Sequence, residues 1–144
     1  MKESKYLEII ESLEKVLEDK PVEIGILFGS RAEGEATHLS DIDVAVKFME
    51  NVERKQKFRI MDRLTAEITS ETGVEKVDLI DLDETRPEIG YRAVRDGKII
   101  MGDEKQRVRL EKNFFKLKED LKPLRREFRQ EMYQRLEGGS YGSA

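Results

Sequence analysis

The sequence predicts one α/β domain, and three observations predict it. Apolar residues recur every three or four positions over 3–19, 52–71 and 104–137, the period of amphipathic helices. Between these segments lie short apolar runs that read as strands: Val22 to Phe28, Asp41 to Phe48, Val74 to Leu82 and Lys98 to Met101. At 144 residues the chain is long enough to bury one core but not two.

Each element follows from local chemistry. Tyr6, Ile9, Ile10, Leu13, Val16 and Leu17 form the stripe of a first helix, which must stop before Pro21. The first strand runs into Gly29-Ser30, and Gly34 to Ser40 is a polar connection into the second. Phe58, Ile60, Met61, Leu64, Ala66 and Ile68 mark the second helix, closed by Thr72-Gly73. Pro87 suits the first turn of a short helix through Val94, and Asp96-Gly97 turns the chain into the last strand. Beyond Gly102 the character changes. Val108, Leu110, Phe114, Leu117, Leu121, Leu124, Phe128, Met132 and Leu136 form a long seam among charges, and Pro123 predicts a break or kink in it. The expected organisation is a core over 1–102, a helical extension of the same domain over 103–137, and a flexible tail over 138–144. The seam is long enough that a partner chain or a homo-oligomer contact competes with packing on its own domain.

Composition narrows the function. The chain has no Cys, which excludes disulfides and thiolate chemistry. No apolar run approaches the ~20 residues of a membrane span, and no signal-peptide pattern opens the chain. A cytoplasmic protein is the expectation. The net charge of −4 gives no global basic field, so direct binding of nucleic acid is not expected.

The chemistry concentrates in Ile24 to Phe48. Side chains alternate faces along a strand, so Asp41 and Asp43 share one face while Ile42, Val44 and Val46 share the other. Two carboxylates one strand-step apart repel each other at the start of a core strand, and a divalent cation offsets that cost. Gly29 permits a tight turn with close backbone approach to a ligand. Ser30 supplies a hydroxyl and, where a helix starts there, free N–H groups suited to phosphate. Ser30 with Glu33 is equally the pattern of a capping box. Arg31 offers a guanidinium to developing charge, or is only a solvated cation. His38, without neighbours of its kind, is a loop residue. A phosphate cradle beside a carboxylate clamp is the equipment of phosphoryl or nucleotidyl transfer.

Gly29-Ser30, ten residues, then Asp41-x-Asp43 resembles the signature of the DNA polymerase β-like nucleotidyltransferase superfamily. LFGSRAEG and SDIDVAV are similar to the minimal nucleotidyltransferase (MNT) group within it, over roughly residues 20–102. The resemblance implies a third carboxylate on a later strand. On spacing both Asp78 and Asp81 qualify; the family pattern selects Asp78. It also implies a small mixed sheet with helices packed on one face. The implied activity moves AMP from ATP to a hydroxyl with two Mg²⁺ ions, held by Asp41, Asp43 and Asp78, while Gly29, Ser30 and Arg31 bind the nucleotide. Lys47 and Lys76 read as charge balance. The implied partner is a small helical HEPN-type toxin, with the protein as its antitoxin and a toxin tyrosine as the AMP acceptor. A binding antitoxin without catalysis, or an aminoglycoside-type nucleotidyltransferase acting as a dimer, are the alternatives.

Overall fold

The computed structural model describes residues 2–29 and 41–137, and side chains from Lys5 onward within them. Ser30, Arg31, Glu33 and His38, and the expected tail over 138–144, lie outside the described residues. Among the described residues, four helices and four strands follow in the order α1 (Lys2–Leu17), β1 (Val22–Phe28), β2 (Ile42–Phe48), α2 (Arg54–Thr72), β3 (Val77–Asp81), α3 (Pro87–Asp96), β4 (Lys98–Met101) and α4 (Glu104–Glu137).

The strands form one mixed sheet in the order β3-β2-β1-β4. β1 is antiparallel to both β2 and β4, whereas β2 and β3 run parallel. β3 is shorter than the expected run from Val74, because pairing with β2 begins only at Ile42 opposite Val77.

Alternation along β1 and β2 sends apolar side chains to both faces, and both faces are covered. Leu27, Val44, Val46 and Phe48 pack with Ile10, Leu13, Val16 and Leu17 of α1 and Leu64 and Ile68 of α2. Ile24, Ile26 and Ala45 pack with Leu82, with Ala93 and Val94 of α3, and with Phe114 of α4. The mixed sheet is as expected, but its helices are not confined to one face. Ile24 and Ile26 are fully buried on the side where α3 and α4 sit, and without those helices they would face water. Each such side chain would forgo ~1.5–3 kcal/mol of burial.

The helix ends follow their sequence signals. Gly73 takes the left-handed conformation after α2 and donates its N–H to Thr69 O at 2.8 Å. Pro87 occupies the first turn of α3. The break that Pro123 predicts does not occur: α4 runs through it as one helix. The ring has no N–H to give Glu119 O, but the turn lies on the surface, where Lys122 pairs with Glu119 at 3.0 Å. Only the first part of the α4 seam is covered. Phe114 is buried, while Leu124, Phe128 and Leu136 are more than 60% exposed.

Candidate active site

β1 ends where β2 begins, since the two are antiparallel, and β3 begins beside the same end of β2. Phe28 stands opposite Asp43, and Asp43 stands opposite Asp78. Cross-strand partners share a face, so the two carboxylates are neighbours in one row across three strands. The next row, Ile26, Ala45 and Ile80, is apolar and packs under α3 and α4. The acids therefore sit one strand-step from the core.

Gly29 closes the row from the β1 side. Its φ is 77°, a backbone state that L side chains rarely adopt. A Cβ there would lie 2.5 Å from Asp43 Oδ2, so the missing side chain makes room for the carboxylate. Asp41 directly precedes β2 and stands at the mouth of the same cluster; Lys76 Nζ lies 3.4 Å from its Oδ2. Burial pushes the Asp43 carboxyl above its ordinary range. The charges of Asp78 and Asp41, and a hydrogen bond shared with Asp78, push the same way, against Lys76.

Asp78 and Asp81, equal candidates on spacing, have different surroundings. Asp78 is exposed in the row with Asp43. Asp81 is buried on the other side of the strand, where its Oδ1 accepts the N–H of Asp83 at 2.9 Å and its Oδ2 lies 3.4 Å from Lys57 Nζ of α2. The two lysines that sequence reading grouped together also part. Lys47 pairs with Asp83 at 2.8 Å, near the far end of β2, and only Lys76 stands at the acids. Spacing held no signal for that contact, because Lys76 and Asp41 meet through the register of β3 on β2.

An all-oxygen set of three carboxylates suits a hard cation such as Mg²⁺. Among the described residues no three His, Cys, Asp or Glu side chains are already gathered around one point as a metal site. Asp43 and Asp78 meet, while Asp41 is paired with Lys76. The donor chemistry fits the ion, and the Lys76 ammonium stands beside the Asp41 carboxylate.

Residues 11–106 match the family model described as polymerase beta, nucleotidyltransferase, a span from α1 into the first turn of α4. The chain belongs to the polymerase β nucleotidyltransferase family. Solved structures share the fold of this nucleotidyltransferase. A chain of a toxin–antitoxin complex with AMP-PNP aligns with a TM-score of 0.70 and 21% identity, over 86% of this chain and 98% of that one. A chain of the MntA–HepT toxin–antitoxin structure aligns at 0.65 and 20%, over 87% and 97%. One from a tri-AMPylated Shewanella oneidensis HEPN toxin in complex with MNT antitoxin aligns at 0.63 and 20%, over 92% and 99%. No curated protein matches the chain. Among the described residues no helix is long and apolar enough to cross a membrane.

Proposed function

We propose that this nucleotidyltransferase moves AMP from ATP to a tyrosine hydroxyl of a small helical HEPN-type toxin and acts as that toxin's antitoxin. The observation that carries the reading is the in-register pair Asp43 and Asp78, with the Cβ-free Gly29 against Asp43. A fold that served only as a scaffold would gain nothing from carboxylates stacked side by side at the edge of its core.

Asp41 and Asp43 would hold an Mg²⁺ ion on the nucleotide, and Asp43 with Asp78 one on the acceptor side. Bound there, the two ions would lower the pKa of the acceptor hydroxyl and stabilise the departing pyrophosphate. Backbone at the Gly29 turn would approach the β- and γ-phosphates, and Ser30 and Arg31 would add a hydroxyl and a charge. In the transfer, the tyrosine oxygen bonds to the α-phosphorus. The bond from that phosphorus to the bridging oxygen breaks, pyrophosphate leaves, and the hydroxyl proton passes to solvent. The similarity to toxin–antitoxin structures, one with AMP-PNP and one with an AMPylated toxin, supports an adenine nucleotide as donor and a toxin protein as acceptor. The uncovered part of α4 is the contact surface for the toxin.

Intact mass of a co-purified partner after incubation with ATP and Mg²⁺ tests this reading. The partner should gain whole AMP units on tyrosine, and the double variant Asp41→Asn with Asp43→Asn should keep the complex without the gain. Equal transfer by the double variant would remove these acids from the mechanism. A stable, protective complex with no mass gain would make the protein an antitoxin by binding alone.

A further inference from the structure

We propose that Lys76 is a tethered counter-ion of Asp41 that opposes a bare divalent cation and favours the same cation arriving with a nucleotide. The inference rests on the reading of Asp41 as a metal ligand. The backbone at Lys76 is fixed: its carbonyl accepts the N–H of Ile42 at 3.1 Å, which locks the start of β3 beside the residue after Asp41. The side chain is not fixed to the same degree. It is 70% exposed, yet its ammonium lies 3.4 Å from Asp41 Oδ2. A long, hydrated stem with a point charge at its end can give up one partner for another at small cost.

The sign of its effect depends on what arrives. Against a lone divalent cation, the ammonium already holds an oxygen that the ion needs, and its charge repels the ion. Against a cation bound to a triphosphate, the same ammonium is released beside a polyanion and attracts it. Lys76 therefore makes Asp41 a weak site for metal alone and a better one for the metal–nucleotide complex. At the strengths usual for exposed charges in water, each effect is about two- to tenfold in affinity. A purely structural lysine would shift both affinities in one direction.

Mn²⁺ is the probe, titrated into the full-length protein and followed by the paramagnetic resonance of free Mn²⁺. Titrations are run with and without an ATP analogue whose α,β bridge is a methylene group. Lys76→Met should bind bare Mn²⁺ about two- to tenfold more tightly and the Mn²⁺–analogue complex more weakly than wild type. Lys76→Arg should restore wild-type behaviour. Lys47→Met removes the same charge from the Asp83 pair and should change neither affinity. Lys76→Met leaving bare Mn²⁺ binding unchanged or weakened, or moving both affinities together, would overturn the inference. Wild type that binds neither Mn²⁺ nor the analogue would overturn the proposed function, and this inference with it.

Discussion

Gly29 and Gly73 form a matched pair for testing whether the turn after β1 serves the carboxylates. Their φ angles are 77° and 75°. An alanine in that left-handed state costs roughly 1–2 kcal/mol at either position. The difference lies in what the new methyl group meets. At Gly73 no heavy atom lies within 4 Å, so the cost stops at the backbone. At Gly29 the methyl falls 2.5 Å from Asp43 Oδ2 and 3.4 Å from its Cγ, inside van der Waals contact. Asp43 is held by its β-ladder on both sides, so the relief must come from its side-chain torsions, at roughly 0.5–1.5 kcal/mol for an off-rotamer carboxylate. Gly29→Ala should then lose about 1.5–3.5 kcal/mol in urea unfolding, and Gly73→Ala about 1–2. The decisive measurement is Mn²⁺ binding to the folded variants. Gly73→Ala should bind as wild type does, while Gly29→Ala, with Asp43 turned aside, should bind at least about tenfold more weakly, some 1.4 kcal/mol. Gly29→Ala with wild-type Mn²⁺ affinity and a stability loss no larger than that of Gly73→Ala would refute the reasoning.

Asp43→Asn should raise the melting temperature at pH 7, because Asp43 titrates above its ordinary range in the fold. A carboxyl raised on folding stabilises most below its unfolded value and loses that contribution as pH rises through the folded value, so the gain should shrink on acidification; a gain independent of pH would contradict it. Asp81→Ala should cost about 1–3 kcal/mol, since it strips partners from Lys57 and from the Asp83 N–H, without touching Mn²⁺ binding. Asp78→Asn should do the reverse, and nucleotidyl transfer in both variants separates the two acids. A chain ended after Arg126 keeps the contact between Arg125 and Glu88 but loses Phe128, Met132 and Leu136. Its stability should move by less than ~1 kcal/mol while binding of the proposed partner collapses, which light scattering on mixtures would read; unchanged binding would remove the far half of α4 from the proposed contact.

Much of this arrangement was legible in the residues themselves. Strict alternation sets Asp43 on the face away from Ile42, Val44 and Val46, and the sheet follows it. The limits of β1 and β4 match the apolar runs, because turn residues or a change of character bound both. What was not legible depends on partners. Amphipathic spacing says that a helix has an apolar face but not which face of a sheet it meets, so the placement of α3 and α4 opposite α1 and α2 was missed. A strand begins where its neighbour begins, so β3 came out shorter than its apolar run. Pro123 carries a strong local preference for a break, and a surface turn with an ion pair across it tolerates the lost hydrogen bond. Asp78 and Asp81 differ by three positions, an odd step that puts them on opposite faces; only Lys57 on α2 reveals that one face was already provided for.

The position of the acids has a further consequence for how the site is kept in shape. Asp43 and Asp78 occupy the row directly beyond Ile26, Ala45 and Ile80, and the first two of those are fully buried under α3 and α4. Close-packed interiors transmit small shifts, so the spacing of the carboxylates is set by the same contacts that close the core. Phe114 matters most here. Gly90 has no room for a Cβ, which would fall within 2.5–2.9 Å of three atoms of the Phe114 ring, so α3 and α4 are fitted to one another at that point. The base of α4 thus braces the face of the sheet that carries the acids, while its far half projects its apolar side chains outward. A partner seated on that far half would grip the same helix that holds the core row in place. One continuous helix through Pro123 makes this coupling physical, where two helices joined by a loose turn would not.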